Sequence, residues 1–163
     1  MQMAIYKIVG SGSIIISAIV LYFEMQKFEK QKINQITAYI LLIEYIKNQI
    51  ECFLLPIDII IHNCSKNIID NCRINIDHTK VENLEELIMS AEFYCNVESI
   101  DLIKQFAKDF GQGYMQEQLR SCDYYRTELI KQRDHLKEKS TKEKKLRFAL
   151  CLCASFSLIL LLV

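Results

Sequence analysis

Apolar positions follow two regimes along the chain. From Ile8 to Phe23 and from Phe148 to Val163 no residue is charged, whereas between Glu24 and Arg147 apolar residues recur at steps of three and four among polar ones. That spacing places side chains on one face of a helix. Ile33, Ile36, Ile40, Ile43, Ile46 (or Lys47), Ile50 and Leu54 predict a long amphipathic helix that continues the apolar head and meets no breaker before Pro56. Proline suits the first turn of a new helix, whose face is marked by Ile57, Ile60, Ile61, Cys64 and Ile68. Residues 71–77 read as a loop. Thr79 and Glu82 have capping-box spacing and predict a helix through Leu84, Leu87, Ile88 and Ala91. Asn96 is the expected cap of the next helix, which carries Ile100, Ile103, Phe106, Ala107 and Phe110 and ends at Gly111. The last helix is expected to run from about Tyr114 into the tail, with Met115, Cys122, Leu129 and Leu136 forming a narrow seam. The fold class is therefore all-α, a helical bundle of about five to six helices flanked by N- and C-terminal transmembrane helices.

The two ends carry the membrane expectation. Residues 4–23 give 20 positions if Lys7 sends its amine to the interface, enough at helical rise for a ~30 Å hydrocarbon core. A cleaved signal peptide is the competing reading, but no small-x-small site precedes Glu24, and the lysines at 27, 30 and 32 follow the apolar run. The tail, residues 148–163, reaches ~24 Å and spans with slight bilayer thinning; a buried core helix is its alternative. Lys27, Lys30 and Lys32 flank the first span, and Lys137, Lys139, Lys142, Lys144, Lys145 and Arg147 flank the second. By the positive-inside rule the domain at residues 24–147 is cytoplasmic and both termini face outward.

Composition narrows the chemistry. The chain has 163 residues, 51% hydrophobic, with 20 Lys+Arg against 20 Asp+Glu, one Pro and four Gly. Zero net charge argues against a nucleic-acid binder that depends on bulk positive charge. Scarce Pro and Gly leave few hairpin turns for an all-β fold. Seven cysteines without a CxxC pair suggest reduced thiols used as small apolar residues. His62, Cys64, Cys72 and His78 invite a zinc reading, but residues i and i+2 on a helix diverge too far to ligate one ion. His62, His78 and His135 are scattered, so no cysteine has a base beside it. Gly10-Ser-Gly12 reads as small-residue packing between membrane helices and Gly111-Gln-Gly113 as a turn, so no phosphate-cradling loop is present. No catalytic residue, metal ligand, cofactor or small-molecule substrate is expected.

Two charged surfaces remain. Glu82, Glu85, Glu86, Glu92, Glu98 and Asp101 occupy a stretch with no basic residue, a candidate docking surface for a basic cytoplasmic partner. From Lys131 to Arg147 there are eight basic and three acidic residues, suited to an anionic leaflet. A solvated face is the plain alternative for both.

The order of parts, with Pro56-Ile57 opening the second helix, "IKQFAKDFG" at 103–111, Gln118, and "KEKKLRFALCLCASFSLILLLV" to the end, resembles the stage III sporulation protein AB family over essentially the whole chain. Phe106, Gly111, Lys145 and Leu150 fall on the family pattern. Leu55, Tyr114 and Cys151 depart from it, standing where Thr, Asp and Gly are usual. The resemblance implies a cytoplasmic domain similar to the F-protein domain of type II secretion systems. It also implies a non-enzymatic platform in the assembly linking mother cell and forespore, located in the mother-cell membrane and contacting a cytoplasmic ATPase and other membrane subunits. A membrane-bound thiol or metal enzyme, and a holin-like two-span protein, are the rival readings.

Overall fold

A computed structural model describes residues 2–81, 83–111 and 113–162, with side chains described for residue 10 and for 12–81, 83–111 and 113–157. Among the described residues the regular structure is helical: α1 (Gln2–Phe53), α2 (Ile57–His62), α3 (Lys66–Asn71), α4 (Leu84–Met89), α5 (Val97–Asp109) and α6 (Met115–Leu162), with a 3-10 turn at His78–Lys80. The chain forms two compact units. Unit 1 comprises Met1–Lys30 and Lys137–Val163, and unit 2 is Gln31–Leu136.

In unit 2, α1 is the central helix. Ile36, Tyr39, Ile43, Ile46 and Ile50 repeat at three and four and are all but fully buried, and Ala38, Ile40 and Leu42 are buried on adjoining faces. Leu41 is the exception, half exposed to solvent. The burial thus extends well beyond one stripe, because the short helices wrap α1 on several sides. Leu54, placed by periodicity on the buried face, is instead exposed and closes the helix in the left-handed region with φ 54°. Its amide still donates to the Ile50 carbonyl at 3.1 Å, so the last turn is satisfied although no glycine is present.

The second helix is two helices. The chain turns at Asn63–Ser65, where the Cys64 amide donates to Ile61 O in a tightened turn. The break lets Ile60 and Ile61 of α2 and Ile69 of α3 all reach the core. The expected capping box at Thr79 does not form the start of α4. Asp77 caps the 3-10 turn by accepting from the Thr79 amide, and Asn83 caps α4 by accepting from the Glu86 amide at 2.7 Å; Glu82 lies outside the described residues. Helix α4 stops at Met89, and Ala91 pairs instead with Ile74 in an isolated antiparallel bridge. Helix α5 starts after Asn96 as expected, with Gly111 just beyond its end at φ 86°. Its Phe106 packs against Phe110 and against Tyr125 of α6, whose hydroxyl donates to Asp109 at 2.6 Å. The α6 seam buries Cys122, Tyr125 and Leu129, while Met115 is exposed. At the start of α6, where Tyr114 has no capping oxygen, the Glu117 carboxylate accepts from the Tyr114 amide, supplying half of a capping box.

The irregular segments are held by one buried amide. Gln35 Nε2 donates to Glu92 O at 2.6 Å and to Cys72 O at 3.3 Å, and its Oε1 accepts from the amides of Tyr94 at 2.7 Å and Cys95 at 3.3 Å. Tyr39 donates to Cys72 O at 3.1 Å from one turn further along α1.

In unit 1 the N-terminal part of α1 and the C-terminal part of α6 meet at Tyr22 and Phe148, whose rings lie edge to face at 5.5 Å. Among the described residues a Cβ at Gly10 or Gly12 would touch nothing within 4 Å. Among the described residues no helix is long and apolar enough to cross a membrane. Of the two expected spans, the side chains of residues 4–9, 11 and 158–163 lie outside the described residues.

Replacing Gln35 with leucine keeps the volume and strips the hydrogen bonds, leaving backbone groups unpaired at roughly 1–3 kcal/mol each where buried. The expected result is a loss of about 3 kcal/mol or more in denaturant-induced unfolding of the full-length chain; an unchanged midpoint would refute this role.

Candidate functional site

The structure places the acidic candidates on two neighbouring elements. Glu85 and Glu86 stand in the first turn of α4 and Glu98 in that of α5, where carboxylates complement the positive helix end. Glu92 lies in the link between them, its carboxylate accepting from the Tyr94 hydroxyl at 3.3 Å, and Asp101 lies one turn along α5. Glu85, Glu86, Glu92, Glu98 and Asp101 are all exposed. Folding also brings cations among them that the one-signed stretch did not show. Glu85 shares a cleft of about 200 Å³ with Lys104 and Lys108 of α5, Lys104 lies 5.7 Å from the Phe93 ring, and Arg73 lies 5.6 Å from the Tyr94 ring. The purely acidic surface is thus diluted, because Glu85 shares one α4–α5 face with lysines 19 and 23 positions further along the sequence.

The basic candidates divide as well. Lys137, Lys139, Lys142, Lys144 and Lys145 are exposed on α6. Lys142 pairs with Glu138 at 2.7 Å, an exposed pair worth little to stability, and Lys139 lies 4.0 Å from the half-buried Glu143. Arg147 is different. It is three-quarters buried, lies 3.7 Å from Glu29 of α1 and hydrogen-bonds Glu143, so it joins the two helices of unit 1 where sequence reading had it facing lipid. Two carboxylates within reach give a guanidinium fork a better partner than solvent.

The cysteines sort by burial. Cys64, Cys72, Cys95 and Cys122 are buried, and Cys52 is exposed. Desolvation pushes the thiols of Cys64 and Cys95 up to about 11 and that of Cys122 up to about 12, and raises Cys72 further. A buried neutral thiol is a poor nucleophile. His62 is exposed while Cys64 and Cys72 point into the core, so the suspected zinc set does not converge. Among the described residues no three His, Cys, Asp or Glu side chains are arranged to hold a metal ion.

Charge is partitioned between the units. Unit 2 carries 16 acidic and 11 basic residues, a net of −5, and unit 1 carries 4 acidic and 9 basic, a net of +5. Residues 7–163 match the family model described as stage III sporulation protein AB. The chain belongs to that family. With membership goes a role in stage III of sporulation. No curated protein and no solved structure matches the chain. Within the family pattern, Pro56 is the N-cap of α2, Phe106 is core, and Gly111 is the left-handed residue after α5. Gln118 donates to Gly113 O at 3.2 Å and braces the following turn.

Sequence reading did not single out Gln35. Its only signal was a polar residue directly beside Ile36 on the apolar face of α1.

Because burial lifts the thiol values above their ordinary 9.0, the neutral-thiol contribution to stability is complete below pH 9 and is lost as pH rises through about 11 to 12. Unfolding midpoints should fall over that window, less so in a Cys64→Ala, Cys122→Ala variant. At neutral pH a maleimide should modify Cys52 well before these four; equal rates would contradict the burial.

Proposed function

We propose that the chain is a non-enzymatic scaffold subunit of a transport assembly between mother cell and forespore. Its apolar ends, residues 4–23 and 148–163, anchor it in the mother-cell membrane that faces the forespore. Unit 2 lies in the cytoplasm and docks the assembly's ATPase and other membrane subunits. The observation that carries this reading is the family match over residues 7–163, which supplies the stage III role. The opposite net charges of the two units support the rest. A positive unit flanked by apolar ends suits an anionic leaflet, where each exposed Lys or Arg contributes roughly 1 kcal/mol. A negative helical unit suits basic partners, since complementary charge raises encounter rates and suppresses wrong pairings. Four of the seven cysteines buried as neutral thiols support a packing use of sulfur over a thiol-enzyme reading. The likeness of unit 2 to the F-protein domain of type II secretion belongs to this proposal, resting on the family resemblance.

Reversing Glu85 and Glu86 to lysine should reduce co-purification of the cytoplasmic ATPase with the full-length chain by about tenfold, with no change in thermal unfolding. Undiminished recovery would dispose of the α4 surface. Topology has its own check. Cys52 is the exposed thiol of unit 2, so a membrane-impermeant maleimide should label it only after cell lysis; labelling in intact cells would overturn the orientation.

A further inference from the structure

In unit 1 the facing parts of α1 and α6 leave an apolar groove of about 370 Å³. Its less exposed lining residues include the small Ala18, Cys151 and Ser155, while Ile19, Phe23 and Phe156 stand exposed at its sides. The Ser155 hydroxyl donates to Cys151 O at 2.7 Å, so it leaves the slot no free hydrogen and the slot suits an apolar occupant. On each helix the lining residues recur at steps of three and four, and the same arc continues beyond Phe23 and Phe148 into lysine. At about 100° per residue, Lys30 falls within the arc that Ala18, Ile19, Tyr22 and Phe23 set on α1, and Lys144 and Lys145 fall within the arc from Cys151 to Phe156 on α6. Helical rise puts all three within roughly 10 Å of the groove's end. They are exposed and form no ion pair among the described residues. The acidic residues nearby are engaged: Glu24 lies 3.8 Å from Lys27, and Glu29 and Glu143 share Arg147. Residues 24–30 and 141–147 together carry six basic and three acidic residues, a net of +3.

We infer that this groove holds an acyl chain of an anionic phospholipid, whose phosphate is drawn to Lys30, Lys144 and Lys145. An apolar slot that runs on into unpaired cations matches the two-part chemistry of such a lipid, and basic sites at the cytoplasmic ends of membrane helices recognise lipid headgroups in this way. A zwitterionic phospholipid fits the slot equally but brings no net charge to the lysines. A second copy is disfavoured as occupant, because it would set the same cations against these at one depth. The inference deepens the membrane-anchor reading above and rests on it.

The chain contains no tryptophan, so a single introduced one reports its own surroundings. Phe156→Trp places a reporter in the groove, and Leu150→Trp places one on an exposed face of α6 that does not line it. Each full-length variant is reconstituted in phosphatidylcholine bilayers, and quenching is followed as chain-brominated phosphatidylglycerol or chain-brominated phosphatidylcholine replaces part of the lipid. The Phe156→Trp reporter should reach half its full quenching at about tenfold less brominated phosphatidylglycerol than brominated phosphatidylcholine, and the Leu150→Trp reporter should not distinguish the two. Adding Lys30→Gln, Lys144→Gln and Lys145→Gln should bring the ratio at the groove to about one, with helix content by circular dichroism unchanged because these lysines make no ion pair. Ala18→Phe, which fills the slot and keeps the lysines, should also abolish the preference. A preference shared by both reporters, or one that survives either set of substitutions, overturns the inference. So does a groove reporter shielded from both lipids, which would make a protein helix the occupant. Equal quenching of both reporters by the two lipids overturns the lipid site alone, whereas quenching of neither reporter overturns the anchor reading and the lipid site with it.

Discussion

Unit 2 depends on Gln35. Among its described residues no sheet exists to gather the irregular segments around Cys72 and around Glu92 to Cys95, and backbone groups drawn against a core must find partners. A primary amide has two donor hydrogens and two acceptor lone pairs, and Gln35 uses all four on those segments. The Glu92 amide then donates to Arg73 O, and Ile74 bridges Ala91, so the two segments are also fastened to each other. With Gln35 committed on one side of α1, the rotation of that helix is set, and Ile36, Tyr39, Ile43 and Ile46 have a single arrangement in the core. A fully satisfied buried polar group specifies a structure in a way that leucine at the same place would not.

The same helix organises the charges. Ionic contacts between α1 and α6 occur in both units, Glu44 with Arg126 and Lys47 with Asp123 in unit 2, Glu29 with Arg147 in unit 1. Each is modest by itself. Their consequence lies in which charges they consume: the hydrogen bond that Lys47 donates to Asp123 raises the Lys47 pKa and keeps that ammonium engaged, and Arg147 is withdrawn from any surface role. A groove at the α1–α2 corner and the α4–α5 face are distinct surfaces built by different residues.

Much of this was legible because helices announce themselves through local spacing. The apolar steps of three and four gave α1, α5 and α6 and most of their core residues, and Gly111 marked the end of α5. The misreadings share one cause. Asp77 and Asn83 outcompeted Thr79 as caps because a cap depends on which side-chain oxygen the chain's path brings to a free amide. The division of α2 from α3 at Asn63–Ser65 arose because two short helices bury Ile60, Ile61 and Ile69 together, a benefit that no local pattern records. The acidic stretch lost its purity for a related reason: Lys104 and Lys108 are distant in sequence from Glu85 and adjacent to it in space.

By itself, the sequence determined an all-α chain with apolar ends, a charged middle and thiols available for packing, since each follows from composition and from periodicities that reflect helix geometry alone. Tertiary structure decided which of those residues act together. It turned net neutrality into units of −5 and +5, made Gln35 a clasp and Arg147 a bridge, and brought residues near 54 and near 115 to one groove. Hydrogen bonds and charge pairs act over a few ångströms, so their partners are chosen only when the chain has folded back on itself.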